Sequence, residues 1–69
     1  MPERELMNRR IEAQMILRGL NKETVSNYLN ITYDSVRKKL AGEVSWKDTE
    51  IVLLARLLEV STDYLLKGD

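Results

Sequence analysis

The chain has 69 residues, of which 43% are apolar and 32% charged, and its 11 basic residues balance its 11 acidic ones. It contains no cysteine and no histidine, which excludes disulfides, thiolate metal sites and the commonest general base. This length predicts a single domain over residues 1–69. The longest apolar run, Ile51 to Ala55, is far shorter than a membrane span, and the N-terminus lacks the apolar core of a signal peptide. We therefore expect a cytoplasmic protein.

The first predicted helix begins at Pro2 and ends at about Arg18, because Gly19 follows. Its apolar residues recur at intervals of three and four, which is typical of a helix with one buried face. These residues are Leu6, Met7, Ile11, Met15 and Ile16.

The second predicted helix follows Asn21, which is placed to cap it. Asn30 ends it, since asparagine enters the left-handed conformation more readily than most residues. The third helix runs from Tyr33 to Leu40, with Thr32 as its cap and Gly42 beyond its end. The residues that we expect in the core here are Val25, Tyr28, Leu29, Ile31, Val36 and Leu40.

Two short helices joined at a large angle by a turn of three or four residues form a helix-turn-helix. In that unit the second helix enters the DNA major groove. Residues 20–42 have the spacing of such a unit, so the sequence predicts DNA as a candidate ligand.

The fourth predicted helix opens at Ser45, with Asp48 in capping-box position. Its buried face consists of Ile51, Leu54, Ala55 and Leu58, widened by Trp46, Leu53 and Leu57. A short fifth helix follows Ser61 and holds Tyr64, Leu65 and Leu66. No strand pattern is visible, so the predicted fold class is all-α with five helices.

Charge is distributed unevenly along the chain. Residues 1–17 carry three bases and three acids, residues 18–39 carry five bases and two acids, and residues 40–69 carry three bases and six acids. The positive excess therefore falls on the two-helix unit, where phosphates would lie.

Two segments carry a resemblance to a known family. LNKETVSNYLNITYDSVRKKLAG aligns without gaps with L-T-Q-E-E-L-A-E-x-L-G-V-S-x-x-T-I-S-x-x-E-N-G, and LLARLLEVSTDYLLKG is similar to L-A-x-A-L-G-V-S-x-D-x-L-L. Over almost its whole length the chain thus resembles the lambda-repressor-like helix-turn-helix domains of phage repressors, Cro proteins and related bacterial regulators. The resemblance implies a compact five-helix DNA-binding domain.

The chain departs from the family pattern at several positions. Asn30 replaces the glycine of the turn, and Glu59 replaces the glycine between helices 4 and 5, so that corner is expected to be strained or differently shaped. Many members bury an arginine of helix 1 against a glutamate at the end of helix 3. Here Met15 and Leu40 stand at those positions, and an ion pair exchanged as a unit for packed apolar residues can be neutral or stabilising.

The resemblance also implies roles for individual residues. The expected base-reading residues are Tyr33, Asp34 and Ser35 at the N-terminal end of helix 3, with Lys38 one turn further on. The expected phosphate contacts are Asn21, Lys22, Arg37, Lys39 and Lys47. For Asp34 the alternative is a carboxylate that only favours the helix dipole, and for Arg37 and Lys39 it is a solvated basic face. Trp46 is expected in the core rather than as a stacking platform.

The leading functional hypothesis is sequence-specific binding of operator DNA by a phage or prophage regulator. The protein would bind near-palindromic sites as a dimer, paired through the corner of helices 4 and 5 and the C-terminal segment, where Val60, Tyr64 and Leu66 offer apolar surface. The chain ends at Asp69, which favours a small Cro-like regulator or a fragment of a larger repressor. The alternative is an antirepressor or modulator that keeps the fold and binds another regulatory protein. Neither an enzyme nor a cofactor or metal site is expected.

Overall fold

The computed structural model describes residues 3–68, and five α-helices account for most of that range, with no strand in it. The helices are α1 (Glu3–Leu17), α2 (Lys22–Leu29), α3 (Tyr33–Leu40), α4 (Asp48–Leu58) and α5 (Thr62–Lys67). The all-α prediction is confirmed. Pro2, where the first helix was predicted to begin, lies outside the described residues.

Side-chain caps define where three of these helices begin. The side-chain Oδ1 of Asn21 accepts a hydrogen bond from the Thr24 N–H at 2.8 Å, and the Thr32 hydroxyl accepts one from the Ser35 N–H at 3.1 Å. The Ser61 hydroxyl does the same for the Tyr64 N–H at 3.0 Å. Each bond satisfies a backbone donor that has no partner inside its helix, which is why the chain turns into helix at these positions.

Two helices end on residues with positive φ that are not glycine. Asn30 has φ 59° after α2, and Glu59 has φ 55° after α4. Behind each, the next N–H reaches back to the last turn: Ile31 N–H donates to the Ser26 carbonyl at 3.1 Å, and Val60 N–H donates to the Ala55 carbonyl at 3.0 Å. The strain expected at Glu59 therefore lies in its left-handed backbone conformation. This conformation costs a residue with a Cβ about 1–2 kcal/mol.

The core draws fully buried side chains from all five helices. These are Ile11, Val25, Val36, Leu54, Leu58 and Leu65. Helix α2 packs on α3 and α4, while α1 packs on α4 and α5. Residues 30–32 are the short link between α2 and α3. The packing of α3 against α2 holds the start of α3 at the surface.

Three predictions about this packing are wrong. Ile16 is 79% exposed rather than buried, because it lies about 140° around α1 from Ile11, the centre of the buried face. Tyr28 is 45% exposed, since Val25, Ser26 and Leu29 form the buried face of α2 and leave the ring at its edge. Helix α4 begins at Asp48, not Ser45. Glu50 rather than Asp48 makes the reciprocal capping bond, accepting the Lys47 N–H at 2.8 Å.

A buried polar cluster joins α1, α3 and α4. The Lys39 ammonium lies 2.5 and 2.6 Å from the two carboxylate oxygens of Glu50 and 5.7 Å from the centre of the Trp46 ring. The Trp46 indole N–H donates to the Asn8 side-chain oxygen at 2.7 Å, and the Asn8 amide donates to the Lys39 carbonyl at 2.9 Å. Met15 and Leu40 are both buried, as apolar replacements should be. Among the described side chains, the buried ion pair is Lys39–Glu50.

Candidate nucleic-acid interface

The first two turns of α3 carry the side chains that were predicted to read bases. Tyr33, Asp34 and Lys38 are exposed and Ser35 is half-buried. The Thr32 hydroxyl donates to the Ser35 hydroxyl oxygen at 2.8 Å, which fixes the Ser35 side chain and leaves its own proton available to an acceptor outside the protein. This end of α3 therefore offers donors and acceptors on side chains whose position is set by the helix.

Asp34 is held by two basic side chains of its own helix. Its Oδ1 accepts hydrogen bonds from two guanidinium nitrogens of Arg37 at 3.0 and 2.8 Å, and its Oδ2 lies 3.2 Å from the Lys38 ammonium. The hydrogen bonds from Arg37, followed by that from Lys38, hold the pKa of the Asp34 carboxyl below its ordinary value. Three of the predicted DNA-contacting residues thus form one charged cluster.

The start of α2 lies beside the start of α3. Asn21, Lys22 and Tyr33 line a single surface cleft of about 420 Å³, which α1 closes with Glu12 and Ile16. Asn21 uses its carbonyl oxygen to cap α2, so its amide nitrogen supplies the donors for any phosphate. The N-terminus of α2 adds the partial positive charge of its backbone N–H groups. Of the predicted contacts, Asn21 and Lys22 are therefore neighbours of Tyr33 on one surface, to which Glu12 and Glu23 add two acids.

Lys39 has to be removed from the predicted phosphate contacts. Its side chain is 8% exposed, and both carboxylate oxygens of Glu50 hold its ammonium. The reason is helical geometry: Lys39 follows the fully buried Val36 by three residues and shares its face, whereas Arg37 and Lys38 point outward. Lys47 is exposed just before α4 and stays a candidate contact.

The surface predicted for dimerisation offers less apolar area than expected. Val60 and Tyr64 are half-buried and pack against the core, and only Leu66 is exposed, at 45%. The most exposed large apolar side chains of the described residues are instead Ile16 and Leu17, at 79% and 77%. The sequence contained a signal for them, since both fall outside the stripe of Met7, Ile11 and Met15 that faces the core.

Neither of two comparisons with known proteins finds a relative: no protein-family model matches the chain, and no curated protein matches it. Among the side chains that the structure describes, which begin at Glu5, no group of three histidine, cysteine or acidic residues is placed to hold a metal ion. None of the helices described is long and apolar enough to cross a membrane.

Proposed function

We propose that the chain is a sequence-specific DNA-binding transcriptional regulator of the lambda-repressor-like helix-turn-helix kind, with α3 in the major groove. The observation that carries this proposal is the shared surface of Tyr33, at the start of α3, with Asn21 and Lys22, at the start of α2. An exposed helix end with base-reading groups, beside a second helix end that favours phosphate, is what such binding requires.

The side chains at the start of α3 match the chemistry of base edges. Lys38 donates to guanine O6 or N7, Ser35 donates or accepts, and Tyr33 packs on a thymine methyl group. Asn21 and Lys22 bind a phosphate at the start of α2, and Arg37 and Lys47 extend the phosphate contacts. These phosphate contacts set the register of α3 on the duplex.

The protein acts on DNA as a dimer in this proposal. One domain of this size reads too few base pairs to be selective, and two domains on a near-palindromic site place their reading helices about 34 Å apart. Leu66 is the exposed apolar residue at the corner predicted for pairing. We expect a monomer in dilute solution that pairs on DNA. A stable dimer in sedimentation at micromolar concentration, without DNA, would contradict this part of the proposal.

The test is a salt series of DNA binding. Wild-type protein is titrated onto a random duplex and onto duplexes selected by the protein from a random pool. A DNA reader prefers the selected duplex and loses affinity steeply with salt, with a slope of about −0.9 for each phosphate contact. Lys22→Ala should weaken binding to all duplexes equally and reduce the slope by about 0.9, whereas Lys38→Ala should mainly reduce the preference for the selected duplex.

Lys67→Ala is the matched control for both variants. Lys67 is an exposed lysine at the end of α5, so its loss removes the same charge without touching α2 or α3. If all three variants weaken binding equally, net charge rather than this surface governs DNA binding, and the assignment of residues fails.

The second candidate function is binding of another regulatory protein. Ile16 and Leu17, two adjacent aliphatic side chains more than three-quarters exposed, are the observation that favours it. Contiguous exposed apolar area is a feature of protein–protein contact sites. Affinity that is weak, unselective and insensitive to salt on every duplex would refute the first function and favour this one.

A further inference from the structure

Asp34 stands at the end of α3 that the proposed function directs toward base edges. Both oxygens of its carboxylate contact neighbours on the same helix, with Arg37 on Oδ1 and Lys38 on Oδ2. The side chains of all three residues are about half exposed, so the cluster lies on the surface rather than in the core. Two positive charges are thus partly neutralised by one negative charge on the surface that would meet DNA.

This arrangement opposes binding to DNA in general. Arg37 or Lys38 must leave the carboxylate to reach a phosphate or a guanine, and the carboxylate then faces the negative backbone without its partners. The loss is the same on every sequence, because every duplex has the same phosphates. It is recovered only where the major groove offers the carboxylate a donor, and the amino group of cytosine is the donor that suits an acidic side chain.

We propose that Asp34 is a specificity-determining residue, which lowers affinity for DNA in general and restores it at sequences that present a cytosine amino group to its carboxylate. The inference rests on the proposed function, and it assigns to Asp34 a role beyond favouring the helix dipole. Arg37 and Lys38 are held in position by Asp34 in the free protein and are released at the correct site.

The experiment compares Asp34→Asn with Asp63→Asn. Asp63 is also exposed and also the second residue of its helix, but it lies on α5, which packs on α1 and α4. Both variants remove one negative charge and one carboxylate from the first turn of a helix. Fluorescence anisotropy measures affinity for a random duplex and for the duplex selected by the wild type, from about 50 to 300 mM salt.

Asp34→Asn should gain affinity for the random duplex by about 8-fold at 0.1 M salt, since one more unit of positive charge meets the phosphates and steepens the salt slope by about 0.9. Affinity for the selected duplex should change by less than about 2-fold, because the lost cytosine contact offsets the gain. The ratio of the two affinities therefore falls by at least about 4-fold. Asp63→Asn should leave both affinities within about 2-fold. Adding Arg37→Gln to Asp34→Asn should return random-duplex affinity and slope toward wild type.

Three results would overturn the inference, and they separate it from the proposed function. If wild type binds selectively but Asp34→Asn behaves like Asp63→Asn, the charge at position 34 has no special role and the function stands. If Asp34→Asn weakens binding to both duplexes, Asp34 increases affinity for DNA instead of lowering it. If wild type shows neither salt dependence nor selection, the proposed function fails, and this role fails with it.

Discussion

Replacing Lys39 by methionine should remove a large part of the free energy of unfolding, although the chain length and core volume barely change. The Lys39 and Glu50 side chains are 8% and 7% exposed, and the ammonium holds both carboxylate oxygens. Lys39→Met leaves that carboxylate buried, with the Lys47 N–H as its one remaining hydrogen-bond donor among those described. Removing one partner of a buried pair costs about 3 kcal/mol or more, and a chain of this length has roughly 3–10 kcal/mol in total.

The assay is urea unfolding followed by the fluorescence of Trp46, the single tryptophan, which lies 5.7 Å from the Lys39 ammonium. With a slope of about 1 kcal/mol per molar urea, a loss of 3 kcal/mol moves the midpoint down by about 3 M. Circular dichroism on the same samples checks that both probes report one transition.

The double variant Lys39→Met with Glu50→Gln decides the reasoning. Glutamine keeps the oxygen that accepts the Lys47 N–H, and no charge is left buried, so the double variant should lie within about 1.5 kcal/mol of wild type. With Glu50→Gln alone also costing about 3 kcal/mol, the coupling between the two sites is then about 4.5 kcal/mol. If the double variant loses the sum of the two single losses, the pair is not a unit and the argument is wrong. The double variant also keeps the test valid if Lys39→Met alone does not fold.

The same pair predicts how stability depends on pH. Burial alone would raise the pKa of Glu50, but the hydrogen bonds from Lys39 and from the Lys47 N–H outweigh it and lower the pKa. A carboxyl with a lowered pKa stabilises the fold above its unfolded value, near 4.5, and loses that contribution as pH falls through the folded value. Wild type should therefore lose stability below about pH 5. In Lys39→Met the pKa of Glu50 is raised instead, so the difference between the two proteins should shrink at pH 3.

Two further predictions concern single residues. Glu59→Gly should raise stability by about 0.5–1 kcal/mol, because glycine adopts φ 55° without strain and the Arg18–Glu59 ion pair that is lost is largely exposed. Thermal unfolding measures this change in stability. A lower melting temperature would show that the ion pair outweighs the strain. Asn8→Ala should cost about 1–3 kcal/mol, since it leaves the buried Trp46 indole N–H without its acceptor and removes one donor from the Lys39 carbonyl, which keeps the Gly42 N–H at 3.1 Å. Asn27→Ala, at an exposed position of α2, is the control in urea unfolding, and equal losses in the two variants would mean that the buried bonds add little.

Local signals in the sequence predicted the helices and most of their ends. Asn21 and Thr32 cap α2 and α3, and Asn30 ends α2 in the left-handed conformation. Such features depend on hydrogen bonds between residues three or four apart, so the residues themselves carry the information. The cap of α4 was misplaced by two residues, because Ser45 and Asp48 fit the capping pattern better than Lys47 and Glu50 do. Glu50 takes that role because it is also held by Lys39, a contact that no local pattern contains.

What the sequence determined by itself is the set of five helices, their buried stripes except at Ile16 and Tyr28, and the side chains at the start of α3 that face outward. The tertiary structure decided which of the basic residues are available to a ligand. In sequence, Arg37, Lys38 and Lys39 form one run of positive charge. In the fold, Lys39 is buried against Glu50, and the other two hold Asp34. The physical reason is that the position of a charged side chain depends on the oppositely charged group with which it pairs. The partner of Lys39, Glu50, lies on another helix. The two side chains meet only when α1, α3 and α4 have packed together.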